Sequence, residues 1–488
     1  MQSSGSEAEN TSHTPSRKLP GVTEAERKIV SERKKVVLQA IKNVLKSQTL
    51  EDAPTIAVLA SGGGLRAMIS LAGTLEALNE AGLLNCVTYL CGVSGSTWCM
   101  SSIYDIQDWT KFDVVVQKIK DQITKARLGW REMIEQLEIT IDEDTFSLTD
   151  IWAVFVAYFM THQINKNKLS EHRKGIEDGK KPYPIYTAVP VTITYRPSKD
   201  NWMEFTPDHV GFTELKNSFL QTEDYGSKFD EGQIVMKKTE PNLCYLDGLW
   251  GSAIVDIIPE WKDEIETLLE NILDEVHKAL LEESVEQDII NLLEKIKKNI
   301  KDVISWKWGT TNNQLYNYPE SSGSGIPDYI SKMKFLHLKD AGLLLNAAYP
   351  VVLCEERTAD LILSFDFSEG DPFQTIKYAK EYCDKNNIMF PDVNEAENAD
   401  VNDPNDCYIF KGNKGEKKPT VMHLPLFNNV NCKGPDGIQE YRKEFSTRTF
   451  DYTEESFSKL IAAAKANVQN NIDLITEQIE NLVTGNGK

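Results

Sequence analysis

The most constraining feature of this chain is a tandem near its start. Two short apolar runs each break at a glycine-rich turn and pass directly into a helical pattern. Thr55-Ile56-Ala57-Val58-Leu59-Ala60 is the first run; Ser61-Gly62-Gly63-Gly64 follows, and Leu65-Arg66-Ala67-Met68 opens a helical periodicity that ends near Gly82. The second unit starts at Val87-Thr88-Tyr89-Leu90, turns at Gly92-Val93-Ser94-Gly95-Ser96 and continues into another apolar stretch. A strand that feeds a helix and returns as a strand is paired parallel, with the helix packed across the sheet. The tandem therefore predicts an α/β protein with a mostly parallel central sheet. Ala359-Asp360-Leu361-Ile362-Leu363-Ser364-Phe365-Asp366 reads as a further buried strand, and Phe335-Leu336-His337-Leu338 as one that ends in Asp340-Ala341-Gly342.

Composition narrows the class of protein. The chain has 488 residues, 41% of them hydrophobic, enough apolar mass for a sizeable core. A net charge of -21 argues against a general nucleic-acid surface. Eight cysteines are scattered without a CxxC pair, which fits free thiols in a reducing compartment. The longest apolar run, Ile151 to Met160, is too short to span a bilayer and follows Thr149-Asp150, read as a helix cap. The N-terminus lacks a secretory apolar region, and the C-terminus offers no prenylatable cysteine. The reading is a cytoplasmic protein whose contact with intracellular membranes is peripheral and reversible.

Residues 24–46 form a basic amphipathic stretch that either lies on an anionic membrane or packs by one stripe on the domain. Residues 254–305 are strongly helical and charged, and 391–406 read as an exposed acidic loop without calcium-loop spacing. The expected organisation is a flexible tail and basic helix over 1–50, one catalytic domain over 51–475 with a helical lid insertion at about 254–327, and a tail over 476–488.

Gly92-Val93-Ser94-Gly95-Ser96 matches G-x-S-x-G. Between strand and helix, that spacing is a nucleophile elbow, whose helix N-terminus supplies unpaired N–H groups. Ser61-Gly62-Gly63-Gly64 can turn several backbone N–H groups toward one spot, as an oxyanion hole or a phosphate loop does. The phosphate-loop alternative lacks the Gly-Lys-Ser/Thr that a Walker loop needs, and no G-x-G-x-x-G is present. Arg66 sits against the helix dipole, which points to a phosphate-bearing substrate or to a structural ion pair. No histidine has a clear station as base. Strand alternation places His337 and Asp340 on opposite faces, so a Ser-His-Asp triad is not supported. Asp340, at a strand end, is either a general base acting directly on Ser94 or a turn-forming Asp-x-Gly.

These blocks, with Leu249-Trp250-Gly251-Ser252-Ala253, Trp308-Gly309-Thr310-Thr311 and Ser364-Phe365-Asp366-Phe367-Ser368, resemble the group IV cytosolic phospholipase A2 family over roughly residues 50 to 460. Tyr183-Pro184-Ile185-Tyr186 and Glu204-Phe205-Thr206-Pro207 look most like its gamma branch. The resemblance implies a three-layer α/β/α patatin-like sandwich with a helical lid. It implies Ser94 as nucleophile, Asp340 as general base, Gly63 and Gly64 as oxyanion donors, and Arg66 and Arg357 on the substrate phosphate. The implied substrates are glycerophospholipids and lysophospholipids, cleaved through an acyl-serine, with transacylation to a second acceptor. No cofactor or metal is expected, and residues 1–50 leave no room for a calcium-binding C2 domain, so no calcium requirement is expected. A thioesterase and a catalytically silent lipid-binding scaffold are the rival readings.

Overall fold

The computed structural model describes residues 22–47, 50–126, 130–140, 143–191, 202–215, 218–253, 274, 291, 308–319 and 326–484. The tandem read from sequence is present. β1 (Ile56–Ala60) is wholly buried and feeds α2 (Leu65–Glu80); β2 (Tyr89–Gly92) feeds α3 (Gly95–Tyr104). β1 and β2 pair in parallel, Ala57 opposite Tyr89 through Ala60 opposite Gly92. β3 (Tyr183–Pro190) extends the parallel set beyond β2, while β11 (Leu361–Asp366) and β13 (Thr420–Pro425) extend it on the other side of β1. Continuous Val/Ile/Leu runs suit strands covered on both faces.

Antiparallel strands finish the sheet. β4 (Met203–Phe205), β5 (His209–Phe212) and β6 (Leu220–Gln221) follow β3, and β12 (Tyr408–Phe410) caps the opposite edge beside β13. β7 (Lys228–Asp230) and β8 (Gln233–Met236) make a separate two-stranded ribbon. Among the described residues β9 (Thr310–Asn312) pairs only with β10 (Phe335–Asp340), and β10 pairs antiparallel with β3. Helix Glu454–Gln469 packs on α2, so helices flank the mixed sheet as an α/β fold requires. α4 (Phe112–Lys125), α5 (Trp130–Thr140), α6 (Leu148–Val156) and α7 (Leu243–Trp250) lie between the first strands and the second half of the sheet. The cap of α6 is Ser147, boxed with Asp150, rather than Thr149-Asp150.

Other expectations change. α1 (Glu24–Leu45) is the basic helix, and it takes the packed alternative. Ile29, Val37 and Ile41 are buried with Arg33, whose guanidinium donates to the carbonyls of Val87, Leu84, Gly179 and Lys180 at 2.7–3.1 Å. A buried cation with four carbonyl partners is anchored, so this face is not available to lipid. Residues 391–406 are not a plain exposed loop: helix Asn394–Asn398 forms there, with Val393 and Ala396 buried. The expected tail from 476 is, up to Thr484, part of helix Ile472–Thr484, which buries Ile475 and Ile479 and meets α1. The expected lid falls largely outside the described residues; within it, Thr310–Asn312 is a strand. All eight cysteines are free. Among the described residues no helix is long and apolar enough to cross a membrane.

Candidate active site

Two turns with one backbone shape build the site. Gly64, before α2, has φ 60° and ψ -140°; Ser94, before α3, has φ 54° and ψ -130°. Glycine adopts this conformation freely, but for serine it costs about 1–3 kcal/mol. The turns also press on each other: a β-carbon built on Gly95 would stand 1.9 Å from the Gly64 carbonyl oxygen, so only glycine fits there. An elbow of this geometry is how α/β hydrolases present a serine, and the Gly63 and Gly64 N–H groups beside it have no protein partner among the described residues.

Strand register brings the carboxylate. Gly92 at the end of β2 lies opposite Tyr186 of β3, and Asp340 at the end of β10 lies opposite Ala188. The other edge of β3 is taken by β4, as far as Ala188 opposite Met203. β2 and β10 therefore lie on one edge of β3 and approach each other end to end. Only Thr187 of β3 separates their last paired positions, Tyr186 and Ala188, two residue steps or roughly 7 Å apart. Val93-Ser94 and Asp340 both fall in that gap. A β-carbon on Gly342 would lie 3.1 Å from Asp340 Oδ1 and 3.5 Å from Val93 Cγ1, and one on Gly62 would lie 3.4 Å from Ser94 Oγ.

Asp340 is fully buried. Its Oδ1 accepts the Gly342 N–H at 2.8 Å, the Asp-x-Gly turn bond, and its Oδ2 accepts the Ala253 N–H at 3.2 Å. Its own N–H donates to Ser252 Oγ at 3.0 Å. Turn-former and base are thus compatible roles for one side chain. Burial alternates along β10 and places His337 on the other face, where Nδ1 meets Thr310 Oγ1 at 3.2 Å. His172, His209 and His423 are likewise engaged elsewhere, with Asp105, Glu204 and the Pro372 carbonyl.

Both arginines are held by protein groups. The Arg66 side chain is 1% exposed and takes the structural alternative, donating to the Phe367 carbonyl at 2.6 Å, the Phe445 carbonyl at 2.5 Å and Thr447 Oγ1 at 3.2 Å, with Glu369 3.7 Å away. Burial pulls its pKa below the ordinary value, partly offset by Tyr452, Glu369 and Asp366. This cation ties the oxyanion turn to two distant segments. Arg357 precedes β11 and so sits at the start of the parallel strands, the edge opposite Ser94. There it forms paired bonds with Glu26, at 2.7 and 2.8 Å, and with Glu204, at 2.8 and 2.5 Å. Glu26, Glu204 and His209 have ligand atoms within 4.8 Å of one another, but the guanidinium already supplies the cation for both carboxylates.

Sequence reasoning missed three supporting residues. Ser252 and Ala253, at the end of α7, hold Asp340. Asn346 accepts the Gly62 N–H at Oδ1, 3.1 Å, and donates from Nδ2 to the Gly62 carbonyl at 3.4 Å and to Ser368 Oγ at 3.3 Å. Nothing in the local sequence marks them; the Ser252-Ala253 and Ser368 blocks stood out only through family resemblance. Asn346→Ala is expected to let the glycine turn drift and lower kcat about 10–100-fold with little change in KM. Steady-state kinetics beside a thermal melt check this.

The chain thus combines an α/β fold with a strained serine turn of nucleophile-elbow shape. Residues 56–376 match the family described as Lysophospholipase catalytic domain. The sequence is 34% identical to human cytosolic phospholipase A2 gamma over 95% of this chain and 96% of the relative, and 31% identical to the mouse protein over 93% and 90%. Human cytosolic phospholipase A2 zeta is 30% identical over 93% of this chain, which spans 60% of that relative. In structure the chain resembles human GIVD cytosolic phospholipase A2, with a TM-score of 0.73 at 22% identity, covering 94% of this chain and 67% of that one. The chain belongs to the cytosolic phospholipase A2 family and is a hydrolase of the phospholipase and lysophospholipase kind.

Proposed function

We propose that this protein cleaves the acyl ester of glycerophospholipids and lysophospholipids through a Ser94–Asp340 dyad. Ser94 Oγ attacks the ester carbonyl as Asp340 takes its proton, and the Gly63 and Gly64 N–H groups hold the oxyanion. The alcohol leaves with that proton, and water, activated by Asp340, cleaves the acyl-serine. A lysolipid or other alcohol in place of water gives transacylation. The reading rests above all on the end-to-end approach of β2 and β10 along β3, which directs the serine turn and the aspartate into one gap. It draws support from a relative of the same fold, human GIVD cytosolic phospholipase A2 in complex with methyl gamma-linolenyl fluorophosphonate inhibitor and terbium chloride, 25% identical with a TM-score of 0.69.

We also propose that the reaction needs no calcium, since the serine, the carboxylate and the N–H donors supply each step, and that the protein meets membranes peripherally. The test is product analysis on a phosphatidylcholine carrying two different acyl chains, with and without a calcium chelator. Fatty acid and lysolipid should appear at the same rate in both. Lysolipid as acyl donor should also yield diacyl product if transacylation occurs. Absence of any release, together with no covalent labelling of Ser94 by a fluorophosphonate, would favour the silent scaffold.

A further inference from the structure

The β7–β8 ribbon stands out because, among the described residues, its apolar strand is left open to solvent. Its two-residue turn, Glu231-Gly232, has φ 50° and 76°, both left-handed, the geometry of a tight type I′ hairpin. Ile234, Val235 and Met236 on β8 are exposed in succession, Val235 to 63%. Successive strand residues point to opposite faces, so both faces of this strand carry solvent-exposed apolar side chains. Two further exposed apolar residues stand nearby. Ile139 of α5, 61% exposed, shares a cleft of about 760 Å³ with Met236. Tyr329 lies on the short helix Asp328–Ser331, whose Ser331 carbonyl accepts the Asn317 N–H while Asn317 Nδ2 donates to Asp230.

The ribbon's position follows from β10. That strand runs back toward the site from beyond the carboxyl ends of β1, β2 and β3, the side on which open α/β sheets take their ligands. Phe335 is five residues before Asp340, about 17 Å further out, and pairs with Asn312 of β9. Asn312 Nδ2 donates to the Gly226 carbonyl, just before β7, and the Glu231 N–H donates to the Tyr316 carbonyl. The ribbon therefore hangs at the outer pole, on the side from which substrate reaches Ser94.

We propose that this ribbon is the docking surface for a zwitterionic phospholipid bilayer, with Ile234, Val235 and Met236 entering the boundary between headgroups and acyl chains and Ile139 and Tyr329 flanking them. The assignment rests on the phospholipase reading above. Two observations choose the partner. A folded protein would cover one face of a ribbon, whereas a fluid interface surrounds both. The neighbouring lysines are balanced by carboxylates: Lys228 and Lys238 meet Asp144 at 2.5 and 2.8 Å, Lys166 meets Glu135 at 3.2 Å, and Lys237 pairs with Asp224. A charge-balanced rim matches a zwitterionic headgroup layer and gives little attraction for an anionic one.

The test is co-sedimentation with phosphatidylcholine vesicles, made on the Ser94→Ala background so that no lipid is consumed. Ile234→Ser, Val235→Ser and Met236→Ser together should lower vesicle partitioning at least about tenfold. In the otherwise native enzyme the same three changes should leave hydrolysis of a soluble monomeric ester within about twofold. Val235→Trp should bind more tightly, with a blue-shifted indole emission on vesicles. Unchanged partitioning of the triple variant overturns the proposal, as does tighter, salt-sensitive binding to phosphatidylserine-rich vesicles. So does lipid-free self-association that the triple variant abolishes without altering vesicle binding. Docking that survives when the native enzyme releases no fatty acid would count against the dyad alone.

Discussion

Ser94→Ala is expected to lower kcat on phospholipid by on the order of 10⁴–10⁶, and Asp340→Asn by a comparable factor. On the proposed dyad, no acyl-serine forms without the hydroxyl, and the Ser94 proton loses its acceptor without the carboxylate. On that reading the two act as one device, so the double variant should be little worse than either single one. The elbow adds a second, independent signature. Alanine at 94 keeps the strained φ of 54°, while glycine releases it. Ser94→Gly should therefore be more stable than Ser94→Ala by about 1 kcal/mol, visible as a higher Tm, although both are inactive. Fatty-acid release and thermal melts on the three variants decide the matter. Activity within about tenfold of wild type in either single variant removes that residue from the chemistry, since a missing nucleophile or base cannot cost so little.

The second large effect concerns stability. Arg357 lies between Glu26 of α1 and Glu204 of β4, with all three side chains at most 1% exposed. Burial opposes ionisation of Glu204, but the Arg357 guanidinium and His209 outweigh it and hold its pKa at about 2, against an ordinary 4.5. Arg357→Met leaves two buried carboxylates facing each other and should cost about 3–5 kcal/mol. Adding Glu26→Gln and Glu204→Gln should recover much of the loss, because the uncompensated charge, rather than the missing contact, is what destabilises. The pH dependence follows from the depressed pKa. The native state releases the Glu204 proton more readily than the unfolded chain, so this stabilisation is complete above about pH 4.5 and is lost as pH falls toward 2. Denaturant melts across that range should show the slope in wild type and a flatter one in the triple variant.

This pairing also shows how far along the chain a buried arginine finds its partners. Arg357 and Arg66 were expected beside a phosphate, yet each is saturated by partners far away in sequence: Glu26 and Glu204 for one, the Phe367 and Phe445 carbonyls for the other. Neither partner set is visible in the local residues. The basic helix was similarly ambiguous until Arg33 was seen to be buried against four carbonyls.

From sequence alone came what depends on neighbours within a few residues: the βα tandem, the parallel sheet it demands, the serine elbow and the glycine turn. Short-range sterics decide these, because only glycine-flanked turns let a strand reverse into a helix. Tertiary structure alone decided the rest. Asp340 is carried toward the Ser94 turn because β10 enters antiparallel on the stretch of β3 that β2 leaves free, a choice of register between segments about 150 residues apart. What each buried arginine pairs with was settled by desolvation: a charge withdrawn from water takes whatever partners the fold brings within hydrogen-bonding reach, however distant they are along the chain.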